Sequence, residues 1–256
     1  MDKLLLDQVK QDLRTLRLKD MVKALDSALK KASHNRSGHL EFLHEILAVQ
    51  LAARHKRSVE RRIKKAVFPK NMSFETFDWG FQPGLNVEQL KDLKELGFVR
   101  KKHPLLILAR PGAGKTHIAT AIGLKACEAG FKVQFYRLQE ILNQLYASLA
   151  DDSTDELLLE FSKLDLLILD HVSYIRSKEE HPSLLLDLVS TCQDRVSLIV
   201  TTNISLEEWG TALGNPSVIN AVVDRLFHHA EILNIREARS YRTEGPHSPK
   251  PPSDLT

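Results

Sequence analysis

A lysine and a threonine that close a loop of small residues are suited to hold a polyphosphate. The chain carries that arrangement as Arg110-Pro111-Gly112-Ala113-Gly114-Lys115-Thr116, followed by His117. It lies between the apolar run Leu105-Leu106-Ile107-Leu108 and the helical pattern Ile118-Ala119-Thr120-Ala121-Ile122. A buried strand, a tight loop and a helix N-terminus turn backbone N–H groups and the positive end of the helix dipole toward an anion. In such a P-loop, residues 111–117 surround the phosphates, Lys115 reaches the β- and γ-phosphates, and the Thr116 hydroxyl ligates Mg²⁺. Ala109 stands where the first glycine of the loop is expected.

Two further polar groups fall at strand ends. Asp170 ends the apolar run 165–169, 55 residues after Lys115, and is expected to hold Mg²⁺ as the Walker B acid. The alternative is a turn or capping aspartate. Asn203 follows the run 197–201 in Thr201-Thr202-Asn203, where its amide would orient the attacking water or sense the γ-phosphate. Standing alone, it would be read as a turn residue before a helix at 205–209. Arg225, in Asp224-Arg225-Leu226-Phe227-His228-His229, is a candidate to stabilise transferring phosphoryl charge from a neighbouring subunit. Arg236, Arg239 and Arg242 compete for that role, and a surface pair with Asp224 is the plainer alternative.

The elements that must position these groups are legible as alternation. Strands are predicted at 105–109, 132–136, 165–169, 197–201 and 230–235, with helices at 114–129, 138–149, 154–162, 181–193 and 215–228. This is the pattern of an α/β fold, a parallel sheet covered by helices on both faces. Residues 1–67 read instead as a small all-helical domain. Leu13, Leu16, Val22, Leu25 and Leu29 recur at helical spacing until a break at 33–38, and a longer helix aligns Leu40, Leu43, Leu47 and Leu51. Phe68-Pro69 ends it. Residues 68–86 form an aromatic, turn-rich linker packed on the core. Residues 87–242 make the nucleotide domain, and 243–256, with four prolines, read as a disordered tail.

Composition sets the partners. The chain is 43% hydrophobic and 27% charged, as in globular proteins, and no apolar run nears a membrane span. The N-terminus lacks a signal peptide's apolar core. Cys127 and Cys192 sit in apolar helical settings, so free buried thiols and a cytoplasmic location are expected. The net charge of +3 conceals an asymmetry: residues 1–102 hold 22 Lys and Arg against 13 Asp and Glu, and the remainder 14 against 20. The basic excess concentrates at 54–65, where Arg54, Lys56, Arg57, Arg61, Arg62, Lys64 and Lys65 accompany one acid, Glu60. Clustered cations of this kind give salt-sensitive, largely sequence-independent contact with a nucleic-acid backbone. A solvated charged helix is the alternative.

In this order, the motifs resemble the IstB/DnaC-like branch of the AAA+ ATPases, and within it the IstB-type transposition helper ATPases of insertion sequences. The resemblance covers about residues 10–242. It rests on 112–117, on 166–170 with Val172-Ser173-Tyr174, on 201–203 with Glu208-Trp209-Gly210, on 224–229 and on Ser240-Tyr241-Arg242. It implies a P-loop AAA+ core, ATP as the nucleotide, homo-oligomers on duplex DNA with active sites at subunit interfaces, and a transposase partner from the same element. The absence of an Asn-Lys-x-Asp motif leaves adenine resting on this likeness. Two features depart from the family: Ala109-Arg110 opens the P-loop, and His171 replaces the acid that normally follows Asp170 and polarises water. An imidazole accepts a proton but lacks the carboxylate's charge and reach, so ATP binding with slow hydrolysis is expected unless Glu179 or Glu180 substitutes. The alternatives are an ATP-dependent DNA scaffold that does not hydrolyse, a helicase loader preferring single strands, and, least favoured, a small-molecule kinase.

Overall fold

The structure is a computed structural model and describes residues 3–70, 72–82, 84–235 and 239–245. It divides into two compact units, Met1–Arg61 and Arg62–Thr256, and the division falls inside a helix.

The smaller unit contains α1 (Lys3–Thr15), α2 (Lys19–Asn35) and the first part of α3 (His39–Ala66). The leucine pattern before residue 33 is cut between α1 and α2, where Arg17 takes a left-handed backbone with φ +59°. Met21, Leu25, Ala28 and Ile46 form the core, with Leu6, Leu13, Leu18, Leu29 and Phe42 against it. Leu18, at the N-cap of α2, offers no side-chain acceptor. The buried Gln50 of α3 supplies one instead, its Oε1 accepting from the Asp20 and Met21 N–H groups at 3.1 and 3.3 Å. Leu40, Leu43, Leu47 and Leu51 share a helix face, but it is the exposed one, 81% at Leu40 and 64% at Leu51. Ile46 and Gln50 turn inward in their place.

The larger unit begins with the end of α3. It continues through a 3₁₀ turn (Phe74–Thr76), α4 (Val87–Lys94), α5 (Gly97–Lys101), β1 (Leu105–Leu108), α6 (Lys115–Glu128), β2 (Val133–Arg137), α7 (Leu138–Ser148) and α8 (Thr154–Phe161). Next come β3 (Leu166–Val172), α9 (His181–Cys192), β4 (Ser197–Thr202), α10 (Trp209–Leu213), α11 (Pro216–Phe227), β5 (Glu231–Asn234) and α12 (Tyr241–Glu244). The five strands are parallel in the order β2-β3-β4-β1-β5. Burial on both faces makes β1, β3 and β4 mostly apolar runs, whereas the edge strands β2 and β5 carry polar residues, and alternation sorts the side chains. Leu166 and Ile168 point into one layer with Ile118 and Ile122 of α6; Leu167 and Leu169 enter the other with Leu184, Leu188 and Ile219.

Differences from expectation cluster at short or irregular elements. No helix is expected between 87 and 101, where α4 and α5 lie; α4 is capped by Asn86, whose side chain accepts from the Gln89 N–H. The helix expected at 205–209 forms instead at Trp209–Leu213, after a turn in which Glu208 accepts from the Ser205 N–H at 2.8 Å. Within the expected tail, α12 reaches Glu244; residues 246–256 lie outside the described residues. Cys127 and Cys192 are free and buried, and burial pushes their thiols up to about 11 and about 12. Among the described residues no helix is long and apolar enough to cross a membrane.

Candidate functional site

Sheet order brings together what sequence order separates. β4 lies between β3 and β1, so the carboxyl ends of three adjacent strands present Asp170, Thr201 to Asn203, and the loop 109–114 side by side. Ligands of open parallel sheets bind at this edge.

The loop takes its shape from Gly112 and Gly114, at φ +81° and +91°. A Cβ at Gly112 would collide with Ser240, and one at Gly114 would lie 2.9 Å from Phe77 Cε2, so both glycines are required by close approach as well as by φ. Ala109 is absent from the positive-φ residues, which is why alanine is accommodated there. Lys115 opens α6 and is 9% exposed. Its Nζ donates to the Ala109 and Arg110 carbonyls at 2.7 and 2.9 Å. Burial lowers its pKa to about 8; Asp170 opposes the shift and the nearby Arg242 charge adds to it.

Asp170 is 5% exposed and held from two sides. The Thr116 hydroxyl lies 3.0 Å from both carboxylate oxygens, and the Thr201 hydroxyl donates to Oδ1 at 2.6 Å. Thr201 also accepts from the His171 N–H at 2.9 Å. His171 stands at φ +68° in an irregularity of the β3–β4 register, and its side chain is exposed along the cavity. Histidine is among the residues enriched in that backbone region. Asn203 is half-buried, and its Oδ1 is buried with no hydrogen-bond partner. An orphaned buried acceptor costs free energy unless a ligand or water meets it.

A cavity of about 400 Å³ joins Lys115, Thr116, His171, Thr201 and Asn203, and Asp170 lies behind the Thr116 and Thr201 hydroxyls. Pro111 to His117, His171, Thr201, Asn203 and Arg242, whose charge acts on Lys115, line one side, and Met72, Phe77, Asp78, Phe81, Gln82 and Tyr241 line the other. The first side offers backbone N–H groups, an ammonium and paired oxygens, a donor set suited to phosphate and Mg²⁺. The Thr116 hydroxyl and the Asp170 carboxylate would hold the metal, consistent with a cation that takes few protein ligands. Phe77, Phe81 and Tyr241 make the second side largely aromatic, which suits a base. His117 lines the cavity, yet its Nε2 lies 2.7 Å from the Ser73 carbonyl and 3.2 Å from the Thr76 hydroxyl. A carbonyl only accepts, so Nε2 carries the proton there, and His117 fastens the linker to α6.

The remaining sequence candidates lie elsewhere. Arg225, near the end of α11, donates to the Ala221 carbonyl at 3.0 Å and borders a cleft with Lys102, His103, His228 and His229. It does not line the cavity beside the P-loop, and among the described residues no carboxylate pairs with it. Arg239 pairs with Glu244 at 3.3 Å, and Arg236 lies outside the described residues. Arg242, a rival candidate for the arginine acting from a neighbouring subunit, lines this chain's own cavity. Neither Glu179 nor Glu180 lines it. On α3, Arg54, Lys56, Arg61, Lys64 and Lys65 are exposed; Arg57 pairs with Asp20 at 2.7 Å, and Arg62 is half-buried. Sequence reasoning missed the grip of Thr201 on Asp170 and the roles of Phe77, Phe81 and Gln82 as cavity walls. The only signal was a threonine beside Asn203 and an aromatic linker.

Comparison with known proteins agrees with this geometry. The family described as IstB-like ATP binding protein matches residues 11–247. A protein of insertion sequence IS21 from Pseudomonas aeruginosa, named for ATP binding, is 33% identical over 230 residues, 90% of this chain and 86% of its own length. A protein of similar name from an insertion sequence of Mycobacterium tuberculosis is 31% identical over 90% of this chain and 92% of its own. Among solved structures, DnaI aligns with a TM-score of 0.55 at 18% identity, covering 64% of this chain and 91% of that one. AMPPCP-bound DnaA from Aquifex aeolicus aligns at 0.55 and 20% identity over 69% of this chain and 53% of that one. These two likenesses show the fold, a parallel sheet covered by helices with the P-loop at its edge. With nine-tenths of its length matched and Lys115, Thr116 and Asp170 converging at one sheet edge, the chain belongs to the IstB-like ATP-binding protein family.

Proposed function

We propose that the protein is an ATPase switch that assembles on duplex DNA and assists the transposase of its mobile element. The observation that carries this reading is the convergence of Thr116 and Asp170 oxygens beside the buried Lys115, in a chain whose relatives are named from insertion sequences. On this reading Lys115 exchanges two backbone carbonyls for the β- and γ-phosphates. Thr116 and Asp170 hold Mg²⁺, which supplies charge neutralisation across the phosphates when bound. Asn203 orients the water, His171 takes the place of the polarising acid, and Arg225 of a neighbouring copy stabilises the transferring charge. ATP stabilises the oligomer on DNA, that assembly recruits the transposase, and hydrolysis dismantles it.

Thr201 keeps the metal ligand in place. Thr201→Val is expected to weaken Mg²⁺-supported ATP binding about 10- to 100-fold, as removing a partner that orients a metal ligand commonly does. Titrating Mg²⁺ at fixed ATP reads this, and an unchanged midpoint would count against it.

The exposed cations of α3 supply the DNA contacts, through phosphates rather than bases. The log–log salt slope of duplex binding is expected to fall by roughly 2–3 in the Arg54→Ala, Lys56→Ala, Arg61→Ala triple variant, at roughly 0.9 for each phosphate that a deleted cation no longer neutralises. ATP affinity should stay as in the parent. An unchanged salt slope would remove this helix from the DNA interface.

His171 favours a second reading, an ATP-dependent scaffold that does not turn over. Neither nearby glutamate lines the cavity to replace the missing acid. Binding of duplex DNA that needs ATP but never releases phosphate would decide for it.

A further inference from the structure

Two segments far apart in the larger unit's sequence meet at one side chain beside the P-loop. Gln82 is 5% exposed, and its amide engages both backbone groups of Arg239. Nε2 donates to the Arg239 carbonyl at 2.7 Å, and Oε1 accepts from the Arg239 N–H at 3.0 Å. A primary amide can match a backbone donor and acceptor together in this way; an ionised acid or an amine cannot.

The contact lies in a wider seam. The Phe81 and Tyr241 rings meet edge to face at 4.9 Å, and the Arg239 guanidinium lies over Phe81 at 4.7 Å. On the far side the Tyr241 N–H donates to the Gly112 carbonyl at 3.1 Å, and Ser240 closes on Gly112. The segment from Arg239 to Glu244 is therefore fastened to the linker at one end and to the P-loop next to it. Arg242, one residue beyond the P-loop contact, lines the cavity that Lys115 also lines. Its charge reaches Lys115.

We propose that Gln82 is a positioning residue of the nucleotide site: its amide fixes the Arg239–Glu244 segment over the P-loop and thereby directs Arg242 to the terminal phosphate. The proposal rests on the reading that this cavity takes ATP. It makes the preference for ATP over ADP depend on a side chain whose amide is spent on Arg239. Loss of the bracket frees Arg242 while Lys115 keeps its own two contacts in the loop.

The test compares the full chain with Gln82→Glu, Arg242→Ala and the double variant. Affinities for fluorescent N-methylanthraniloyl-ATP and N-methylanthraniloyl-ADP are measured with Mg²⁺, and Lys115→Ala serves as the control for the cavity. Gln82→Glu keeps the size and the acceptor but turns an oxygen toward the Arg239 carbonyl. Each single variant is expected to weaken the ATP probe roughly 10-fold and the ADP probe less than about 3-fold, the size of one charge-assisted contact. The double variant should be no weaker than either single, because both remove the same contact. Equal weakening of both probes, or losses that add in the double variant, would overturn the proposal. Should Gln82→Glu fail to melt cooperatively, Gln82→Met is read in the same way. Wild-type binding that survives Lys115→Ala would instead overturn the reading of the cavity and the proposal with it.

Discussion

Lys115→Ala is expected to lower ATP affinity by about 100-fold or more, through the removal of two charge-assisted hydrogen bonds to phosphate. In the structure the ammonium is buried against two backbone carbonyls at the head of the P-loop, with the Asp170 carboxylate favouring its charged form. It is poised for a polyanion, and burial alone makes its charge costly. A pH dependence follows. The ammonium is the form that binds phosphate, and burial holds its pKa at about 8 in the free protein. Bound phosphate favours the charged form, so binding above that pH takes up a proton. Affinity should be full below about 8 and decline as pH rises from there. Lys115→Arg, whose guanidinium stays charged throughout, should lose that decline. Calorimetric titration from roughly one pH unit below that pKa to one above measures both effects. Affinity that rises over that range would contradict the placement of Lys115 at the phosphates.

His171→Glu is expected to raise the ATP turnover number about 10-fold or more, since a well-placed general base contributes roughly 10²–10⁴. The position already faces the cavity beside Asp170, and its N–H is anchored to Thr201, so a carboxylate placed there has a fixed origin. The gain is reduced by the backbone at φ +68°, which histidine tolerates better than glutamate. ATP affinity should change little, because His171 lies beyond the loop that holds the phosphates. Phosphate release under single-turnover conditions separates the chemical step from binding. A variant no faster than the parent would show that the missing acid does not limit hydrolysis.

The strands that flank the site were legible because parallel strands buried on both faces are mostly apolar runs, and those at 166–169 and 197–201 lead to the candidate residues Asp170 and Asn203. Leu166 to Leu169 followed by Asp170 is the plainest case. The departures have physical causes of another kind. The leucines at 40, 43, 47 and 51 have helical spacing, but spacing does not say which face the neighbouring helices cover; Ile46 and Gln50 won the core. α4 and α5 depend on a cap at Asn86 and on left-handed Leu96 and Lys102, which weak local patterns hide. Arg242 competes in the sequence with other arginines for a role between subunits, because sequence distance from the P-loop is no guide to spatial distance. The Gln82–Arg239 bracket spans 157 residues, and no periodicity encodes such a contact.

The most direct test of a DNA-dependent ATP switch is phosphate release by the purified protein, with and without duplex DNA, alongside Lys115→Ala. We expect turnover that rises when duplex DNA is added and disappears in the variant. Turnover that ignores DNA, or ATP-dependent DNA binding with no phosphate release, would contradict it.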